Sequence, residues 1–348
     1  MSSGSRASGQ RDEATQLEGF FYPVAQSRLL TRKKPLERAI YGRRIALFRD
    51  EGGRAHALDA RCPHHGANLA DGVVIDGCLA CPYHGWRFAA DGRCVHIPSQ
   101  PARPISPRAT TRAFEVVEQQ GIVWVHAGDR PAVRPPPSFG IADDPTFRGF
   151  AIEETVPGPA DWWVDNFMDI SHVPFVHRST FGGHKPTVTA HPVERWADEM
   201  GYSARVVVRY EYGLVTRLIH GSASVFTEDA YFEVTVPATV HVTIDMGNGR
   251  RQGLALFSTP EDATRTHVIM MVWRNYLRWA PFGDALGRRF TRAVLMEDKG
   301  IVERGVTAMR SPDLVSVAAD GPALEFARLM RLWSERERRS GLRVVGEV

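Results

Sequence analysis

Between residues 19 and 130, apolar positions come in short runs that alternate with polar ones, and each run stops at a turn. "GRRIALFRDEGG" ends in a turn signal, "HALDARC" follows, and "GIVWVHAGD" closes the set. Alternation of period two over stretches this short predicts strands, so the region reads as a small all-β module. Further on, "YSARVVVRYEYG", "AYFEVTVPATVHVTIDM" and "GLALFSTPEDATRTHVIMMVWRNYL" alternate over longer lengths, as an antiparallel sheet with one buried face does. Helical patterns flank that sheet, over 161–172 before it and 284–309 after it. A last amphipathic segment, "ALEFARLMRLWSERERRSG", starts after Pro322 and stops at Gly341, as helix punctuation requires. The expected class is α+β.

Proline divides the chain. "DRPAVRPPPSFG" (129–140) holds the backbone extended and denies ladder hydrogen bonds, which marks a boundary. The expected division is a disordered leader over 1–18, an all-β domain over 19–130, a Pro-rich linker over 131–145 and a second domain over 146–348. The leader "MSSGSRASGQRDEATQ" has no hydrophobic stretch to act as a secretory signal, and no membrane-length apolar run occurs, so a soluble cytoplasmic protein is expected. With 43 basic and 40 acidic residues the net charge is +3, without a block of like charge. Nucleic acid is therefore not an implied partner.

Chemistry enters with the cysteines. All four (Cys62, Cys78, Cys81 and Cys94) fall between residues 62 and 94, and such clustering in a reducing compartment argues for a metal site rather than a disulfide scaffold. Cys62-x-His64 and Cys81-x-x-His84 form two mixed clips. Structural zinc usually pairs like ligands within a clip, whereas mixed clips let each loop place its Cys on one iron and its His on the other iron of a [2Fe-2S] cluster. Gly66 and Gly85, each just beyond a ligand histidine, allow a tight turn that aims amides at the cluster. His65 is taken as a non-ligand, and Cys78 and Cys94 as packed thiols. In these residues the sequence resembles a Rieske domain; a zinc clip is the alternative.

An electron carrier would be complete at about a third of this length, so the second half must use the electron. "DWWVDNFMDISHVPFVH" (161–177) offers a helix capped by Asp161, with a stripe of Trp162, Phe167 and Ile170, and with Asp169 and His172 one turn apart. In an unbroken helix His177 lies about 140° around from His172, so the pair can share a metal only if the chain deviates, and Pro174 supplies the deviation. An oxygen-activating iron wants two histidines and a carboxylate on one face. In "RRFTRAVLMEDKGIVERGV" the helical spacing of Phe290, Val294, Asp298, Ile301 and Gly305 makes Asp298 interrupt an apolar face, with Glu297 rotated off it. A buried salt bridge from Asp298 to Arg274 is the competing reading.

Together, Cys62, His64, Cys81, His84, Asp169-x-x-His172-x4-His177 and Glu297-Asp298 resemble the oxygenase component of Rieske non-haem iron oxygenases over about 19–310. The run "DNFMDISHVPFVHRSTFG" is most similar to the branch of vanillate and dicamba O-demethylases and aminopyrrolnitrin oxygenase. The resemblance implies an N-terminal Rieske domain, a C-terminal helix-grip (START-like) catalytic domain and a homotrimer. It also implies Fe(II) on His172, His177 and Asp298, Asn166 as a polar neighbour of the iron, and Asp169 as a bridge to His84 of the adjacent subunit. The run from Asp165 to Asp169 is one residue shorter than in ring-dihydroxylating members, which favours a monooxygenase over a dioxygenase.

No dinucleotide fingerprint occurs, so NAD(P)H acts indirectly through a reductase, with or without a ferredoxin, and O2 is the co-substrate. Hydroxylation, demethylation and N-oxygenation of an aromatic or alkaloid-like small molecule are the expected outcomes. Phe175, Trp273, Arg274 and Tyr276 are expected to line the substrate pocket. The rival from another class is an electron-transfer or redox-sensing protein with a ligand-binding domain.

Overall fold

The computed structural model describes residues 17–177, 180, 183–212, 225–247, 249–278, 282–305 and 315–339. Most of the expected leader, residues 306–309 of the late helix and Gly341 lie outside the described residues.

The N-terminal region is all β. Its strands are β1 (Phe21–Gln26), β2 (Leu36–Ile40), β3 (Arg43–Arg49), β4 (Ala55–Asp59), β5 (Val73–Ile75), β6 (Cys78–Ala80), β7 (Arg87–Phe88), β8 (Cys94–His96), β9 (Ala113–Gln119) and β10 (Ile122–His126). They form one sheet in the order β1-β10-β9-β4-β3-β2 and a small one in the order β5-β6-β7-β8. The small sheet carries the cysteine loops. Strand β1 lies at a sheet edge, yet all six of its residues are buried, because the second domain covers it.

A short helix, α1 (Gly140–Asp143), falls within the expected linker, and it seats Phe139 and Ile141 against the second domain. That domain continues with β11 (Arg148–Pro157), α2 (Ala160–Met168), α3 (Val173–Val176), β12 (Gly183–Arg195), β13 (Gly201–Tyr212), β14 (Val225–Thr235), β15 (Thr239–Asp245), β16 (Arg251–Pro260), β17 (Arg265–Arg274), α4 (Gly283–Gly305) and α5 (Gly321–Arg339). The sheet is antiparallel throughout, in the order β11-β17-β16-β15-β14-β13-β12.

Side-chain alternation along β17 gives the sheet two different faces. Val268 and Met270 join the cluster of Trp163, Val164 and Met168 from α2, while Ile269 and Trp273 join Phe139, Ile141, Phe21 and Trp124 on the opposite side. One face therefore holds the helices, and the other holds the linker together with Phe21, Ile122 and Trp124 of the β module. Trp163 is buried to 1% and donates its indole N–H to the Pro157 carbonyl at 2.7 Å, so its truncation to alanine would cost about 3–5 kcal/mol.

The two domains are joined by apolar packing and by backbone. Tyr41 N–H donates to the Pro260 carbonyl at 2.8 Å, and Thr259 Oγ1 donates to the Pro23 carbonyl at 2.7 Å. Helix α5 closes the arrangement: the Glu337 carboxylate accepts from the backbone N–H groups of Gly19 and Glu18 at 2.8 and 3.0 Å, while Trp333 meets Phe20 edge-on.

Candidate metal centres

The first constellation is built from two loops of the same design. In each, the cysteine N–H donates to the carbonyl five residues on (Cys62 to Ala67 at 2.9 Å, Cys81 to Trp86 at 2.8 Å). The cysteine carbonyl in turn accepts from the glycine four residues on, Gly66 at 2.9 Å and Gly85 at 3.1 Å. Both glycines have positive φ, +73° and +68°, which L-residues with a side chain rarely adopt.

Both thiols are buried and both histidines are exposed. His64 and His84 stand 4.7 Å apart between ring centroids, and His64 stacks on Trp86 at 4.3 Å. Burial pushes the Cys62 thiol up to about 11, and neighbouring Cys81 adds to that effect. Two thiols placed so cannot both ionise without a cation between them, which fits an iron cluster. Cys94 is buried in the packed cluster beside the loops and Cys78 is half-buried on β6.

The second constellation sits where α2 ends. Asp169, the C-cap of α2, leaves the helical region with ψ 93°, and a 3-10 turn over Ile170–His172 leads into α3. The sequence expectation put the deviation at Pro174. In the structure Pro174 occupies the first turn of α3, where its missing N–H costs nothing, and the break comes before His172, at Asp169. His172 and His177 are the two ends of that one-turn helix, and their Nε2 atoms lie 3.3 Å apart.

Helix α4 brings the third group. Its buried stripe is Thr291, Leu295, Asp298 and Val302, one position around from the expected one, since Phe290 and Ile301 are exposed. The α2 stripe is shifted likewise: Ala160, Trp163, Val164 and Met168 are buried, Trp162 and Phe167 half-buried, and Asp161 lies inside the first turn behind Pro159 as N-cap. Asp298 Oδ1 lies 3.4 Å from His172 Nε2 and 3.4 Å from His177 Nε2. His177 is 2% exposed and Asp298 8%.

These three donors fit a metal. Edges of 3.3–3.4 Å are what three donors produce when each stands about 2.1 Å from one ion, and two imidazoles with one carboxylate suit non-haem iron. Among the described residues the buried Asp298 Oδ1 has no hydrogen-bond partner, and such an atom suits a cation. The field there is negative: burial opposes a charge on His172, yet Asp169 and Asp298 outweigh it and raise its pKa to about 9.

Arg274 does not pair with Asp298. It pairs with Asp284 at 2.8 Å, in the first turn of α4, and fourteen residues of helix put Asp298 about 21 Å further along. Arg274 and Tyr276, whose hydroxyl bonds Gln252, thus lie at the far end of the sheet, and Trp273 lies on its opposite face. Phe175, on α3 between the two histidines, is 56% exposed, and Asn166 is half-buried on α2, one turn before Asp169.

The sequence reading set Glu297 off the buried face and gave it no role of its own. Its Oε2 lies 2.9 Å from His177 Nδ1 and accepts the Thr180 hydroxyl at 2.8 Å. Its position next to Asp298 was the available signal, because a helix turns about 100° per residue and can offer adjacent carboxylates to two sides of one imidazole.

Two family models match. Residues 20–129 match the Rieske [2Fe-2S] domain, and residues 157–336 match the vanillate O-demethylase oxygenase C-terminal domain. The oxygenase component of dicamba O-demethylase from Stenotrophomonas maltophilia is 41% identical over 151 residues, covering 42% of this chain and 44% of that protein. Aminopyrrolnitrin oxygenase PrnD from Pseudomonas fluorescens is 38% identical over 181 residues, covering 49% of each. The matches thus span less than half the length of these curated relatives. A crystal structure of dicamba monooxygenase bound to 3,6-dichlorosalicylic acid superposes with a TM-score of 0.80 at 25% identity, covering 93% of this chain and 99% of that one.

Proposed function

The chain belongs to the Rieske oxygenases of the vanillate O-demethylase type, and on that premise we propose that it is the terminal oxygenase of a cytoplasmic multicomponent monooxygenase. The observation that carries the proposal is the triangle of His172, His177 and Asp298, with its orphaned carboxylate oxygen, in a chain that also has the two Rieske loops. Cys62, His64, Cys81 and His84 hold the [2Fe-2S] cluster, and the triangle holds Fe(II). The iron, when bound, supplies the activation of O2, with electrons that a reductase draws from NAD(P)H and passes through the cluster.

The chain's own residues do the rest. Buried Cys62 and Cys81 face inward and exposed His64 and His84 face outward, which supports electron exit through an imidazole at the surface. Asp169 keeps a side chain that is 46% exposed, with Oδ1 fixed by the Ser171 N–H at 2.8 Å and Oδ2 3.6 Å from His172 Nδ1. A fixed carboxylate beside the iron ligand, 3.6 Å away, that still reaches the surface supports its role as the bridge to His84 of a neighbouring subunit in a homotrimer. His177 is enclosed, whereas His172 is half-buried and Phe175 exposed.

The substrate class is an aromatic or alkaloid-like small molecule, hydroxylated, demethylated or N-oxygenated. The test is turnover of methoxyarenes, N-methyl compounds, arylamines and polycyclic alkaloids with NADH, a surrogate reductase and labelled O2, read by mass spectrometry. One labelled atom in the product, or formaldehyde release, is expected. Two labelled atoms retained would make the protein a dioxygenase; an iron-loaded protein that turns over none of these compounds, and whose redox properties are unchanged by loss of His172 or Asp298, would be a carrier.

A further inference from the structure

We propose that Glu297 is a positioning residue of the mononuclear iron centre, fixing His177 in the tautomer that presents Nε2 to the metal; the inference rests on the iron reading above. A neutral imidazole has one N–H and one lone pair, so the group that faces one nitrogen decides what the other can do. Glu297 Oε2 lies 2.9 Å from His177 Nδ1, and an ionised carboxylate only accepts. The Nδ1 atom therefore carries the proton, and the lone pair is on Nε2, the atom that faces His172 Nε2 at 3.3 Å and Asp298 Oδ1 at 3.4 Å.

The same carboxylate oxygen is held by the Thr180 hydroxyl at 2.8 Å, and Thr180 N–H donates to the His177 carbonyl at 3.1 Å. The Glu297 carboxylate thus ties His177 and Thr180 to helix α4. His172 lacks such support. Its Nδ1 is buried without a hydrogen-bond partner among the described residues, and Asp169 Oδ2 stands off at 3.6 Å. The two histidines differ in kind: His177 is anchored to the protein from behind, whereas His172 is backed by a carboxylate that is half exposed at the surface.

Glu297 and Asp298 divide the work by helix geometry. Successive residues of α4 point about 100° apart, so one carboxylate offers Oδ1 to the front of the imidazole while its neighbour closes on the back. Oriented carboxylates behind a ligand histidine typically account for 10–100-fold in metal affinity.

The experiment measures Fe(II) and Co(II) binding to iron-stripped protein whose cluster is intact and oxidised, for wild type, E297Q, E297A and H177A. The electron paramagnetic resonance of bound Co(II) reports the ligand field. E297A is expected to weaken both metals by about 10–100-fold and to change the Co(II) signal, while the cluster absorbance stays that of wild type. E297Q keeps an amide oxygen as acceptor and is expected to recover most of the affinity and the wild-type signal. Wild-type affinity and signal in E297A overturn the positioning role. Failure of wild type to bind either metal, or unchanged binding in H177A, overturns the iron reading instead, so the two failures are distinguishable. Loss of affinity in E297Q as severe as in E297A, with an altered cluster spectrum, reduces Glu297 to a packing role and also overturns the inference.

Discussion

The Nε2 atoms of His172 and His177 face each other at 3.3 Å, with Asp298 Oδ1 at 3.4 Å from both. Two imidazole nitrogens and a carboxylate oxygen so placed fit one shared metal ion. Removing one donor leaves two, too few to hold Fe(II) against water. His172→Ala and Asp298→Ala are each expected to lower iron from about three to about two atoms per chain, with the cluster spectrum intact and turnover at background. Iron analysis beside the visible spectrum checks this, and three irons retained in either variant would exclude the triangle as the binding site.

Electron delivery and metal binding are expected to separate at Asp169. Its carboxylate is 3.6 Å from His172 Nδ1, but it is not one of the three converging donors. Asp169→Asn keeps the shape and removes the charge. Cluster and iron contents are expected near wild type while product formation falls by at least about 100-fold, the scale of losing an essential transfer step. Single-turnover oxidation of the reduced cluster is the readout, and a wild-type rate would remove Asp169 from the electron path.

That Cys62, His64, Cys81 and His84 come together on two like loops, and His172 and His177 on one short helix, was legible in the sequence because clip spacing and residue type carry the pattern. Asp298 was legible as a charged residue on a helix that must bury one side. The details of orientation were not. The buried stripe of α4 includes Thr291 and Leu295 rather than Phe290, since packing against β11 selects the face and leaves a phenylalanine exposed. Trp273 reads as pocket lining until register is known, and a one-residue shift in alternation moves it to the far side of the sheet. Glu297 reads as rotated off until α3 is seen to bring His177 against it.

Arg274 sits in a buried ion pair at the end of β17. Its guanidinium, 6% exposed, pairs with Asp284 at 2.8 Å and lies over the Phe150 ring, 5.4 Å from its centroid. Breaking a buried pair strands the remaining charge. Asp284 keeps Arg148 at 2.7 Å, so Arg274→Ala is expected to cost about 3 kcal/mol, at the low end for such pairs, with KM within about twofold of wild type. Urea unfolding together with steady-state kinetics checks both halves. A large rise in KM at unchanged stability would return Arg274 to the substrate site.

His267 makes stability depend on pH at the domain junction. It is 5% exposed on β17, and burial together with the Arg38 guanidinium lowers its pKa from 6.5 to about 3. Glu153 lies 3.9 Å from its Nε2 but is engaged by Arg38 at 2.6 Å, so that carboxylate does not restore the imidazolium. Below pH 6.5 the unfolded chain takes up a proton that the folded chain refuses until about pH 3, so the contribution is complete above 6.5 and lost as pH falls through that window. One proton of difference corresponds to about 1.4 kcal/mol per pH unit. Urea midpoints for wild type and His267→Gln between pH 7 and pH 4.5 isolate this residue, because the other titrating groups are common to both chains. Wild type is expected to lose stability more steeply on acidification. Parallel curves would mean that the folded protein accepts the proton, with Glu153 and not Arg38 dominating the field at His267.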